Sequence, residues 1–304
     1  MSETLLVFTS KCNLQCAHCC DSCGPKGETM SQENIEQVLR HVPAKTEKLV
    51  ISGGEPFVEP DRLYKTIDFI TKNKRGILPK GEICVQTNGF WAVNEERAYR
   101  TIRQLGQVMH RENIYLTITS KDRFHREQGL DTDKLSTAED SPLHRTIKRI
   151  ARQDGGFVIK NEMLPILNLV RANGNMYFEM LDGLIRVIPF GRAKALDSGS
   201  HLRTTKCTMK EDYAGRSRNY SATIRPDGKV YPCCWCVTPS IGSAIESPLE
   251  WLVDEMRSDR MFRALVAHGP EGAARVLGVY NEADEEIYEK NPCLKCEEIF
   301  RGIR

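Results

Sequence analysis

Cys12, Cys16 and Cys19 stand at a Cys-x3-Cys-x2-Cys spacing directly after a short apolar run, residues 5–9, that reads as a first strand. Their thiolates are thus expected in one loop at the C-terminal end of that strand, the end where barrel folds build active sites. Proteins hold iron–sulfur cubanes by Cys thiolates, usually four, so three ligands suit a cubane with one iron left for another molecule. Zinc, whose structural sites normally close with four ligands, and incidental thiols are the competing readings. A second set, Cys207, Cys233 and Cys293-x2-Cys296, supplies four thiolates, enough to close a cubane or a zinc ribbon. Cys84 stands alone on a strand-like run and reads as a small core residue.

These thiols are the one unusual feature of the composition. The chain has 304 residues and 12 Cys, with 40% hydrophobic and 28% charged residues. Such values belong to an ordinary globular protein and exclude disordered and collagen-like classes. The net charge of +2 gives no global positive field for nucleic acid. No apolar run approaches the ~18 to 20 residues that span a bilayer, and residues 5–8 lack the basic flank of a secretory signal. The expected compartment is therefore the cytoplasm, where crowded cysteines bind metal or catalyse more often than they pair.

The elements that must position the cysteines alternate between strand and helix patterns. Strands are expected at 5–9, 49–52, 83–87, 115–119, 157–160 and within 176–189, and helices at 60–72, 94–109, 142–153 and near 164–172. A further helix starts at an N-cap Ser31, with Ile35, Val38, Leu39 and Val42 at helical spacing. Six such units predict an α/β fold, a partial (β/α)6 barrel over residues 1–193 with a mainly parallel sheet. A polar stretch at 194–206 reads as a linker to a small C-terminal α+β domain, 207–304. There, Pro226-Asp227-Gly228 predicts a hairpin turn between 220–224 and 229–231. Helices follow at 248–266 and around 271–280.

Cys12-Asn13-Leu14-Gln15-Cys16-Ala17-His18-Cys19 and Gly53-Gly54-Glu55-Pro56, each after its strand, resemble the CxxxCxxC loop and GGE motif of the radical SAM superfamily. That resemblance implies a TIM-like partial barrel whose [4Fe-4S] cluster offers its open iron to the amino and carboxylate groups of S-adenosylmethionine. Gly53, Gly54 and Glu55 would then bind the cofactor's ammonium. The glycines permit close backbone approach, and Glu55 or nearby carbonyls can accept from a cationic amine. Gln86-Thr87-Asn88-Gly89, Ser120 and Arg192 fall at strand ends where the family contacts the cofactor, with Asn88 and Ser120 foremost. The second set of cysteines resembles the shorter, Twitch form of the SPASM/Twitch extension, which implies an auxiliary [4Fe-4S] cluster on Cys207, Cys233, Cys293 and Cys296, with Cys236 able to replace Cys233.

Asn88-Gly89-Phe90-Trp91, Asp122-x2-His125 and Asp227-Gly228-x2-Tyr231-Pro232-Cys233-Cys234 look like radical SAM peptide epimerases. The resemblance implies Cα epimerisation of a precursor peptide, with Cys234 as hydrogen donor and an external electron donor such as flavodoxin or ferredoxin. The sequence departs from that pattern at Ser221, where those enzymes carry an acid. Dehydrogenation of a small molecule such as an amino sugar alcohol, peptide cross-linking, and a non-catalytic metal-binding module are the alternatives. A binding module has no need of Gly53-Gly54-Glu55. With the first motif at residue 12, a leader peptide is expected to be read by the barrel, the C-terminal region or another protein.

Overall fold

The run Leu5-Leu6-Val7-Phe8 enters the middle of a sheet as β1 (Glu3–Thr9), with Leu6 and Phe8 fully buried. The computed structural model describes residues 3–161, 166–172, 174–182, 191–196, 221–233, 235–284 and 292–301. From β1 the chain continues through α1 (Gln32–His41), β2 (Lys48–Gly53), α2 (Pro60–Lys72), α3 (Lys74–Ile77), β3 (Glu82–Thr87) and α4 (Glu95–Val108). It then forms β4 (Ile114–Lys121), α5 (Arg123–Glu127) and α6 (Pro142–Asp154). Local chemistry sets these starts. Ser31, Asn94, Asp122 and Ser141 each cap a helix by accepting the backbone N–H of the residue three positions on.

After α6 come β5 (Phe157–Asn161), β6 (Ile166–Val170), β7 (Met176–Asp182), β8 (Ser221–Ile224) and β9 (Val230–Tyr231). The nine strands order as β5-β6-β7-β4-β3-β2-β1-β8-β9. Strands β7, β4, β3, β2, β1 and β8 run parallel, while β5, β6 and β9 pair antiparallel with their neighbours. The fold is thus α/β with a central parallel sheet. Ile51, Val85, Leu116 and Phe178 on that sheet are fully buried, as are Ile35, Leu63, Ile102 and Ile147 on the covering helices. Each such side chain contributes about 1.5 to 3 kcal/mol of hydrophobic stabilisation.

Three local expectations are corrected. The segment read as a helix near 164–172 contains β6, because Leu167 and Leu169 are both fully buried two residues apart, a strand's period. The strand expected at 157–160 is consequently half of an antiparallel hairpin and adds no parallel unit. The sixth parallel strand among the described residues is β8, which pairs with β1 from the C-terminal region. The expected hairpin turn does join β8 to β9, with Gly228 at φ 81°, in the left-handed region.

Beyond it, α7 (Leu249–Ser258) and α8 (Arg260–Leu277) replace the single helix expected at 248–266. Asp259 ends the first and caps the second, its Oδ1 accepting from Phe262 N at 2.9 Å. Gly269 and Pro270 then kink α8. The last helix is α9 (Pro292–Phe300). Cys207, Cys234 and most of the stretch read as a linker lie outside the described residues. No helix among the described residues is long and apolar enough to cross a membrane.

Candidate active site

The loop between β1 and α1 is fastened before any ligand is considered. Cys12 N donates to Gly24 O at 3.0 Å, Gly24 N to Ser10 O at 3.2 Å, and Met30 N to Phe8 O at 2.8 Å, closing the loop at its neck. Gly53 and Gly54, at the end of β2, pack beneath it. A Cβ at Gly53 would lie 2.4 Å from Thr9 O, and one at Gly54 the same distance from Lys11 O and 2.9 Å from Cys12 Cβ. The glycines are thus required where β2 meets the cysteine loop. Arg192, far along the chain, grips the other side. Its guanidinium donates to the carbonyls of Cys16 at 3.0 Å and Cys23 at 2.6 Å, and its backbone N–H to Cys19 O at 3.1 Å.

Cys12, Cys16 and Cys19 line one cavity of about 480 Å3 together with Gly53, Gly54, Asn88 and Arg192. Asn88 reaches the loop directly, its amide donating to Asn13 Oδ1 at 2.9 Å. Glu55 and Ser120 sit behind the wall. Glu55 is fully buried, and its carboxylate accepts from Phe57 N at 3.0 Å, Thr87 Oγ1 at 2.8 Å and Asn88 N at 2.6 Å. Ser120 Oγ donates to Asn88 O. The side chain of Glu55 thus braces the end of β3 while the two glycines before it face the cavity.

Burial pushes the Cys12 thiol up to about 11 and, with Cys12 beside it, the Cys16 thiol up to about 12. Cys19 is drawn down, chiefly by a hydrogen bond with Cys23. Because metal ligation requires thiolates, loading the site releases protons. The donor set fits an iron–sulfur cubane: three sulfur ligands face one cavity that still has room for a further molecule.

Several lining groups escaped the sequence reading or entered it only as motif letters. His18 and His125 approach Cys16, with the three candidate ligand atoms within 4.8 Å of one another. His125 Nδ1 is paired with Asp122 Oδ2 at 2.8 Å, and burial together with His125 pushes His18 down to about 4. Cys20, Cys23, Ser52, Gln86, Thr119, Leu181 and Trp235 complete much of the remaining wall. Trp235 brings the C-terminal region into the cavity, and Arg225 of the hairpin pairs with Asp21 at 2.5 Å. Cys233, Cys293 and Cys296 are each buried. No local spacing announces Arg192 or Trp235, since their contacts depend on the completed sheet.

Residues 6–135, which hold the cysteine loop, both glycines, Glu55, Asn88 and Ser120, match the model of the Radical SAM superfamily. They are a radical SAM domain, of a family that uses a [4Fe-4S] cluster and S-adenosylmethionine. YydG of Bacillus subtilis, whose name places it in peptide biosynthesis, is 23% identical over 228 residues, 74% of this chain and 66% of YydG. A Methanosarcina mazei protein named for GTP 3′,8-cyclase activity is 28% identical over 189 residues, 58% of this chain and 48% of its own. The chain thus spans from about half to just under two thirds of these relatives. Among solved structures, BtrN with AdoMet and 2-DOIA aligns at TM-score 0.46 and 15% identity, over 90% of this chain and 89% of that one. The anSMEcpe structure with AdoMet and the Cp18Cys peptide aligns at TM-score 0.43 and 16% identity, over 99% and 96%.

Proposed function

We propose that this protein is a radical enzyme that acts on a peptide and inverts the configuration of one Cα centre. Cys12, Cys16 and Cys19 hold a [4Fe-4S] cluster, and S-adenosylmethionine occupies the adjoining space against Gly53, Gly54 and Asn88. When bound, cluster and cofactor together supply a 5′-deoxyadenosyl radical able to take hydrogen from an unactivated C–H bond. The chain positions these groups. Arg192 and the glycine-lined end of β2 hold the cysteine loop, Glu55 and Ser120 hold Asn88, and Trp235 closes part of the wall against water.

Inversion needs a hydrogen atom returned to the opposite face of the carbon, and we assign that donation to Cys234. Its S–H bond breaks as the new Cα–H bond forms. One electron and one proton then restore the thiol, the electron from an external donor such as flavodoxin or ferredoxin and the proton from solvent. The observation that carries this reading is Trp235: the residue next to Cys234 lines the same cavity as Cys12, Cys16 and Cys19. The peptide-biosynthesis name of YydG supports a peptide substrate.

Residues 207–304, entered through the 194–206 linker, form the auxiliary region in this proposal. There Cys207, Cys233, Cys293 and Cys296 hold a second [4Fe-4S] cluster. The burial of Cys233, Cys293 and Cys296 supports the assignment, and Cys293 and Cys296 lie one turn apart at the start of α9.

Cys234→Ala is expected to keep both clusters and still produce 5′-deoxyadenosine, while no inverted residue accumulates. In deuterated water the wild type should place one solvent deuterium at the inverted carbon, delivered by the exchangeable thiol. A product lighter by two hydrogens with no deuterium gained would contradict inversion and indicate dehydrogenation or cross-linking.

A further inference from the structure

Three neighbouring strands end in the cavity with uncharged polar side chains that the cysteine loop does not use. Along β2, β3 and β4, Ile51, Val85 and Ile118 are buried at 0%, 0% and 1% exposure. Strand alternation turns the next residues, Ser52, Gln86 and Thr119, to the other face, where all three line the cavity. Ser52 Oγ donates to Gln86 Oε1 at 3.1 Å, which occupies the amide's acceptor side. Among the described residues neither the Gln86 NH2 group nor the Thr119 hydroxyl has a hydrogen-bond partner. Donors on the wall of a partly enclosed cavity, left without a protein acceptor, are satisfied by water or by what binds there.

Charge narrows the ligand's chemistry. Among the described lining residues Asp21 is the one carboxylate, and it is engaged by Arg225 at 2.5 Å. The Arg192 guanidinium is spent on the Cys16 and Cys23 carbonyls. Among the described residues that line the strand side of the cavity, Ser52, Gln86 and Thr119 carry no charge, and burying an unpaired charge beside them is far costlier than burying a hydrogen-bonded amide. A free amino acid or an amino sugar carries such a charge. The interior of a peptide does not, and its backbone carbonyls are the acceptors that the shelf lacks.

We infer that Ser52, Gln86 and Thr119 form a substrate-reading shelf that binds backbone amides of an internal peptide segment, with Gln86 as the principal donor and Ser52 as the residue that orients it. The inference rests on the peptide reading above and adds where the peptide is held and by which groups. Gln86→Glu keeps the shape and the acceptor for Ser52 but removes both amide donors. Gln86→Met removes donors and acceptor at similar size, and serves should the first variant fail to fold.

The test uses the anaerobically reconstituted holoenzyme with S-adenosylmethionine bound, against a random-sequence peptide library displayed on its encoding RNA. Peptides enriched on the wild type are resynthesised, and their affinities for wild type, Gln86→Glu, Gln86→Met, Ser52→Ala and Thr119→Val are measured beside the affinity for S-adenosylmethionine. Loss of the Gln86 donors is expected to weaken peptide binding about tenfold or more, the Ser52 and Thr119 changes about threefold, with cofactor affinity unchanged. Peptide affinity within twofold of wild type in the Gln86 variants overturns the shelf while leaving the peptide reading intact. A matching loss of cofactor affinity overturns it too, by moving Gln86 into the cofactor site. Enrichment of no peptide on the wild type contradicts the peptide reading itself and the shelf with it.

Discussion

The two groups of cysteines are built differently. Cys12, Cys16 and Cys19 share one loop whose neck is closed by backbone hydrogen bonds and whose far side is held by Arg192. Cys233 ends a hairpin and Cys293 and Cys296 begin a helix far along the chain, so tertiary structure has to bring them together. The first site follows from neighbouring strand ends, with its neck and its Arg192 clasp both made by protein groups. A cluster on the second set, as proposed, would join distant segments and so act as a cross-link as well, as metal binding does wherever ligands come from separate elements.

The comparison breaks most sharply under single ligand changes. Cys12→Ala, Cys16→Ala or Cys19→Ala is expected to abolish reductant-dependent 5′-deoxyadenosine formation, because one of the three proposed protein ligands is gone. Near wild-type yield from any of the three would remove the loop from its assigned role. The fold should tolerate these changes, since the loop's neck does not depend on the thiols.

Glu55 probes whether the first site is braced from behind. Glu55→Ala leaves Phe57 N, Thr87 Oγ1 and Asn88 N without their buried acceptor, an expected cost of about 3 kcal/mol in denaturant unfolding. Burial, opposed by those hydrogen bonds, raises the Glu55 carboxyl to about 7. A group whose folded value exceeds its unfolded one holds more protons when folded. Its stabilising contribution is full below the unfolded value and lost as pH rises from about 4.5 through 7. Glu55→Gln should flatten that part of the stability profile. An unchanged slope would show that Glu55 does not titrate in this window.

Much of this brace was legible in the sequence only as letters. The helix at 60–72 has the same ends in the structure, and Ser31 caps α1 as its spacing from Ile35 suggests. Gly53-Gly54-Glu55 marked the right segment, but strand alternation and close packing decide that the glycines face the cavity while Glu55 turns to Thr87 and Asn88. The β5–β6 hairpin was missed because the stretch mixes a helix's three-residue spacing, Leu164 to Leu167, with a strand's two-residue spacing, Leu167 to Leu169. Arg192 stood in a turn with no local sign of its three loop contacts, which exist only once the sheet has brought residues 191–196 beside the cysteine loop.

Arg192 gives the smallest expected effect and separates the two regions. Arg192→Ala removes both guanidinium anchors, so iron at the first site should be lost to a chelator about tenfold faster, a usual scale for groups that support metal ligands. Iron of the proposed C-terminal cluster should leave at its wild-type rate. Equal acceleration at both would mean that the two regions are not independent.

Most direct is a comparison of iron content and 5′-deoxyadenosine yield in the same anaerobic samples of wild type and a Cys12/Cys16/Cys19 triple alanine variant. Two [4Fe-4S] clusters predict about eight iron and product in the wild type, and about four iron with a retained [4Fe-4S] spectrum and no product in the variant. A triple variant that still forms 5′-deoxyadenosine, or one that holds no iron, would contradict the account.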